Sequence, residues 1–217
     1  MTDSQPRPIS PRAGADAQPG QPAPRRAGRT DLDTLVTIIT RSFADDPVWG
    51  QAFPAGLGEA GRRAIWALDL EAMIRLDWTW LSAGGEATAV WVPPGEVEFT
   101  VAQEDAYLAL LAARLGPGFG RVLELLARFE EAHPRDEPHY YLSLLGTHPD
   151  QRGHGHGMRL LADNLATIDA EGAPAYLEST NPANDARYRR LGFEPVGVFE
   201  GYVPGSVITT MWRPARR

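Results

Sequence analysis

The chain has 217 residues, 43% of them apolar, with 21 basic residues (every one an arginine) against 28 acidic ones and a net charge of −7. That is enough apolar material for one substantial core, while the lack of cysteine excludes a disulfide framework, thiolate metal ligands and a cysteine nucleophile. A pI near 5.2 argues against a general nucleic-acid binder, which needs a basic face to neutralise phosphates. No apolar run approaches the roughly 20 residues that span a bilayer, and the arginine-bearing N-terminus lacks the apolar core of a secretory signal. A cytoplasmic protein with neither a membrane nor a nucleic acid as partner is expected, as monomer or homodimer.

Residues 1–29 mix Pro6, Pro8, Pro11, Pro19, Pro22 and Pro24 with Gly, Gln, Ala and Arg and show no apolar period. Such a segment buries too little surface to offset its ordering entropy and is expected to be a disordered tail ahead of a single domain over 30–217. Thr30 or Asp31 can cap a helix carrying Leu32, Leu35, Val36, Ile39 and Phe43, which stops near Asp45-Asp46-Pro47. Val48–Pro54 then reads as a loop or broken helix with two large aromatics, Trp49 and Phe53. A second helix is predicted from about 60 to 76. The runs 78–82 and 87–92, joined by Gly84-Gly85, read as a hairpin. Helical stretches follow at about 100–115 and 119–132.

Residues 140–147 (Tyr140-Tyr141-Leu142-Ser143-Leu144-Leu145-Gly146-Thr147) form a mostly apolar, strand-like run that His148-Pro149-Asp150 breaks. Next comes Gln151-Arg152-Gly153-His154-Gly155-His156-Gly157 and an amphipathic helical pattern with Leu161, Leu165 and Ile168, ending near Gly172. A strand-to-helix turn leaves the first amides of the helix unpaired and aims the positive end of its dipole outward, so an anion is the natural occupant. Glycines let those amides approach a diphosphate closely. Two phosphate loops are excluded by composition: there is no lysine for a P-loop, and the glycines run G-x-G-x-G rather than G-x-G-x-x-G. A short strand at 174–179 and the stretch Asn181–Phe193 follow, and two further strands are expected near 195–203 and 206–213.

Arg152-Gly153-His154-Gly155-His156-Gly157 resembles the acetyl-coenzyme A signature of the GNAT superfamily of N-acetyltransferases, written Arg/Gln-x-x-G-x-G/A. Asn184, Tyr188 and Gly192-Phe193 follow in the order of that family's second landmark. Together these cover roughly residues 140–194. Tyr-Leu-Glu-Ser-Thr before the Asn is also similar to the puromycin N-acetyltransferase-like branch. The resemblance implies an α/β fold: a mixed, mostly antiparallel sheet flanked by helices, whose two central parallel strands, here 140–147 and 174–179, splay apart to admit the coenzyme. The βαβ connection between them is expected to be right-handed. It further implies an enzyme that moves acetyl from acetyl-CoA, its acyl-donor co-substrate, to the primary amine of a small molecule by direct attack in a ternary complex. No metal is required.

On that reading the coenzyme is held by Leu144, Leu145, Gly146 and Thr147 of the strand, by Arg152, Gly153, His154, Gly155, His156 and Gly157 of the turn, and by Asn184. Backbone N–H groups near Leu144–Gly146 are the candidate oxyanion donors. Tyr188 is the candidate general acid, with a buried phenol bonded to backbone as the alternative; for Asn184 the alternative is a helix cap. Glu178, at the strand end facing the cleft, is the candidate base; a solvated or arginine-paired glutamate is the alternative, with His139, Glu130 and Glu131 in reserve. Trp49 and Phe53 either wall the acceptor site or pack the first helix against the sheet. His148, His154 and His156 lack the spacing of a metal site. A non-catalytic acyl-CoA sensor and a protein N-acetyltransferase remain as alternatives.

Overall fold

The computed structural model describes residues 23–216 and resolves the apolar periods into helices and strands in this order: β1 (Arg25–Arg26), α1 (Leu32–Ser42), α2 (Trp49–Ala52), α3 (Gly58–Ile74), β2 (Thr79–Leu81), β3 (Ala87–Val92), α4 (Val101–Leu115), α5 (Phe119–Ala132), β4 (Tyr140–Thr147), α6 (His156–Ala170), β5 (Ala175–Ser179), α7 (Asp185–Arg190), β6 (Glu194–Glu200) and β7 (Val207–Arg213). The strands make one seven-stranded sheet in the order β1-β2-β3-β4-β5-β7-β6. Every neighbouring pair is antiparallel except β4 and β5, which run parallel.

The sheet separates two apolar layers. On one face Val90, Val92 and Leu144 pack under Leu35 and Ile39 of α1, Ile65 and Trp66 of α3, Leu111 of α4 and Leu125 of α5. On the other, Ala87, Ala89, Trp91 and Leu142 meet Leu160, Leu161, Leu165 and Ile168 of α6. Those four α6 residues are at most 3% exposed, and each contributes about 1.5–3 kcal/mol of burial. A hydrogen bond from Trp91 Nε1 to Asn164 Oδ1, 3.0 Å long and fully buried, fixes the helix along the sheet. Docking α6 in this way holds its N-terminus at the open end of β4.

Strand β4 carries a local defect that sets the geometry of that end. Val90 faces Leu144 and Trp91 faces Leu142, so Ser143 is an extra residue, a β-bulge. An inserted residue reverses the face of every side chain beyond it. Accordingly Leu142 lies in the α6 layer whereas Leu144, also even-numbered, lies in the α1 layer. Gly146 completes the contact with α1: a Cβ there would lie 2.6 Å from Ser42 Oγ and 2.8 Å from Ile39 Cδ1.

The fold begins earlier than residue 30. Arg25 and Arg26 pair with Leu81 and Trp80, the Ala27 amide donates to the Thr79 carbonyl at 2.8 Å, and Ala27 is buried. The Arg26 guanidinium sits 4.2 Å from the centre of the Trp78 ring and 4.6 Å from that of Trp80, a cation–π contact that makes an arginine a good cover for an edge strand rich in tryptophan. The expected tail boundary therefore moves back from 29 to about 24, and residues 1–22 of that expectation lie outside the described residues.

Candidate active site

Strands β4 and β5 stay paired only through Tyr140–Leu142 and Ala175–Leu177. Beyond Leu142, β4 continues against β3 to Thr147, while β5 continues against β7 to Ser179. The two strands therefore part at the Ser143 bulge, and a cavity of about 630 Å³ opens between them, lined by Ser143, Leu144, Leu145 and Thr147 on one side and by Glu178, Ser179 and Thr180 on the other.

The glycine turn forms one end of this cavity. Gly153 and Gly155 take φ values of +84° and +78°, in the left-handed region open to glycine, and Gly155 is the N-cap of α6. A Cβ on Gly157 would lie 2.5 Å from Thr147 Oγ1, so the first turn of the helix sits directly against the end of β4. Gly153, Gly155, His156 and Gly157 all line the cavity. Unpaired helix-start amides thus face it together with two arginines, Arg152 and Arg187. Arg152 Nη2 also donates to the Ser42 carbonyl at the C-terminus of α1 (2.8 Å), which clamps the turn to that helix.

Tyr188, on α7, is half-buried against Phe193 and faces the cavity. Among the described residues its hydroxyl has no hydrogen-bond partner, which removes the alternative of a phenol bonded to backbone. Burial, and then the charges of Asp46 and Asp185, push its pKa up, so the phenol keeps its proton. Asn184 lines the same cavity and makes no side-chain cap bond; its Oδ1 accepts from Arg187 Nη1 at 2.7 Å.

Glu178 enters the cavity with a side chain only 2% exposed. Its Oε1 has no hydrogen-bond partner among the described residues, and the His133 ring lies 3.8 Å away at Nδ1. The arginine-paired alternative therefore does not describe it. Two more carboxylates share this end: Asp69 of α3 and Glu98 of the loop before α4. Ser143 Oγ donates to Glu98 Oε1 at 2.6 Å. Burial raises the pKa of both, and the Glu98 charge adds to the rise at Asp69. Arginines and helix amides thus line the cavity at the turn, Asp46 lies near Tyr188, and Asp69, Glu98 and Glu178 lie close enough for their charges to act on one another.

Three expected site residues are not brought to the cavity. Phe53 is 3% exposed and packs into the core edge-on against Trp66; Trp66 and Phe129 join Trp49 as cavity wall instead, with Trp49 stacked on Phe129 at 5.9 Å. Gly146 is covered by α1, as its missing Cβ requires. His154 is exposed on the outer side of the turn, where its carbonyl accepts from Arg159 Nη1 at 2.6 Å. The reserve bases also lie elsewhere: His139 is held by the Glu137 carbonyl at 2.7 Å, Glu130 pairs with Arg135, and Glu131 faces solvent. Among the described residues no group of three His, Cys, Asp or Glu is placed to hold a metal ion, and no helix is long and apolar enough to cross a membrane.

Sequence reasoning overlooked Asp69, Glu98, Tyr107 and Tyr141, all of which line the cavity. For Asp69 a signal existed. It falls three residues after Trp66 and four after Ile65, on the buried face of α3, where an isolated carboxylate is out of place. Glu98 carried no such signal, because it lies in an irregular loop.

Residues 70–193 match the model of the Acetyltransferase (GNAT) family. Solved structures share the fold at low identity. An arylalkylamine N-acetyltransferase 2 from Aedes aegypti is 13% identical with a TM-score of 0.65, over 88% of this chain and 97% of that one. A structure from Corynebacterium glutamicum, described as histone acetyltransferase HPA2 and related acetyltransferase, is 23% identical with a TM-score of 0.60, over 91% and 98%. A polyamine N-acetyltransferase from Drosophila melanogaster is 16% identical with a TM-score of 0.59, over 88% and 98%.

Proposed function

This chain belongs to the GNAT family of acetyltransferases, and from that premise we propose that it moves an acetyl group from acetyl-CoA to the primary amine of a small molecule, by direct attack in a ternary complex. One observation carries this reading: a single cavity is lined at once by the glycine turn, by Tyr188 with a retained proton, and by the unpartnered carboxylate of Glu178. A catalytically silent sensor has no use for the last two. The volume of about 630 Å³ suits small ligands, and relatives of this fold described as acting on polyamines and arylalkylamines agree with a small amine.

The residues present fit the donor. Main-chain amides of the turn, with Arg152 and Arg187, would hold its diphosphate. Asn184 and the separated edge of β4 at Leu144, Leu145 and Thr147 would hold its pantetheine arm. The donor supplies an activated acyl carbon and a thiolate leaving group.

An alkylamine has a pKa near that of lysine, about 10.4, and so arrives as an ammonium. Glu178 takes one proton from it and frees the lone pair. As the C–N bond forms, main-chain N–H groups at the Ser143 bulge face the oxygen that gains charge. As the C–S bond breaks, Tyr188 gives its proton to the sulfur. The amine loses two protons in all; one replaces that of Tyr188, and the other passes from Glu178 to water.

Coenzyme A release over a panel of alkylamines, a puromycin-like aminonucleoside and a lysine peptide tests the proposal. Release with small amines supports it. Tight acetyl-CoA binding with no release for any amine overturns it in favour of a sensor, and release with the peptide alone favours a protein acetyltransferase.

Gly155→Val is expected to weaken acetyl-CoA binding at least tenfold, about 1.4 kcal/mol, in a calorimetric titration. The left-handed φ of +78° is strained for valine, and the new side chain meets Arg159 Nη1, 2.9 Å from the Cβ position. Unchanged affinity would remove the turn from the coenzyme site.

A further inference from the structure

The acetyl-transfer reading uses one carboxylate of the cavity's acidic end and leaves two unused. Glu178 meets the reacting amine. Asp69 and Glu98 come from two other elements and line the same space. We propose that Asp69 and Glu98 form a subsite for a second positive charge, so that the acceptor is a dication: a diamine, or an amine carrying a guanidinium at its far end.

Among the described residues Asp69 makes no hydrogen bond and no ion pair, and Glu98 receives a single bond, from Ser143. The arginines that line the cavity are engaged elsewhere, Arg152 with the Ser42 carbonyl and Arg187 with Asn184. Glu178, with a side chain 2% exposed, lines the same space, and its Oε1 accepts no hydrogen bond among the described residues, the His133 Nδ1 lying 3.8 Å away. Carboxylates that serve structure are paired or capped when they leave water; Asp69 has no such partner among the described residues, and Glu98 has the Ser143 hydroxyl alone.

The surroundings suit a cation. Phe99 and Tyr107 line this end and stack on each other at 4.9 Å, which offers aromatic surface to an ammonium or a guanidinium. In the ligand-free protein, burial raises both pKa values, and the Glu98 charge adds to that at Asp69. A proton is then the substitute for the missing counter-charge. A monoamine would satisfy Glu178 alone.

The proposal rests on the transferase reading, so its test separates the two. The assay compares kcat/KM for 1,4-diaminobutane and 4-guanidinobutylamine with kcat/KM for n-butylamine, in the wild type, in Asp69→Asn and in Glu98→Gln. The wild type should prefer the dications by roughly tenfold or more, the size expected of a charge-assisted contact. Each variant should cut that ratio by a similar factor. The choice between the two dications shows whether the far group is an ammonium or a guanidinium. No preference in the wild type, or a preference unaltered in both variants, overturns the subsite.

If none of these three amines is acetylated, the transferase reading stands or falls by the wider amine panel, and direct calorimetric binding of 1,4-diaminobutane decides the subsite. Binding weakened in Asp69→Asn upholds it; no binding, or equal binding, overturns it. Because both substitutions are isosteric, two folded variants are available for comparison.

Discussion

Tyr188→Phe lowers kcat by about 10²- to 10⁴-fold, the usual contribution of a positioned proton donor, and leaves the affinity for acetyl-CoA within about twofold. The phenol is held neutral by burial and by the charges of Asp46 and Asp185, so it can donate at neutral pH. Phenylalanine keeps the ring against Phe193. Because the hydroxyl has no partner among the described residues, its removal breaks no structural bond, and the loss falls on the chemical step. Steady-state rates with an accepted amine, set beside an equilibrium titration of the coenzyme, separate the two quantities. A rate equal to that of the wild type would return Tyr188 to a packing role.

Asp169→Ala is expected to destabilise the fold by about 3–5 kcal/mol, the cost of stranding a buried charge, against a total of about 5–15 kcal/mol for a typical domain. Arg213 is 2% exposed. Its guanidinium makes two bonds to Asp169, of 2.6 and 2.7 Å, and one of 2.9 Å from Nε to the Leu191 carbonyl. This single side chain therefore joins β7, the C-terminal part of α6 and the end of α7. Removing the aspartate leaves a guanidinium buried without a counter-ion. Arg213→Met should cost less, because Asp169 is 28% exposed and can turn to water while the methionine fills the space. Urea unfolding of the two variants measures both costs. A larger loss in Arg213→Met than in Asp169→Ala would contradict the argument.

Elements with a strong period were legible in advance. The helices at 101–115 and 119–132 and the strand at 140–147 fall where Leu, Phe and Tyr recur at helical or alternating spacing, because burial of one face imposes that spacing on any sequence that folds so. The turn was legible for a different reason. Positive φ at Gly153 and Gly155 is a demand that few residues other than glycine meet, so the demand is written in the composition. Arg26 fell within the expected tail because its cover is a tryptophan pair some 50 residues away, which no local pattern records.

By itself the sequence determined that a strand turns through glycines into a helix whose start favours an anion, and that Asn184, Tyr188 and Gly192-Phe193 follow it in order. Those are local properties of backbone conformation and helix ends. Only the tertiary structure decided where the two central strands separate, since one surplus residue at Ser143 is a matter of register between β3 and β4 and leaves no mark on either strand alone. The same holds for the acidic end of the cavity. Asp69, Glu98 and Glu178 come from three elements far apart in the chain, and an electrostatic field is a property of their distances in space, which the order of residues does not state.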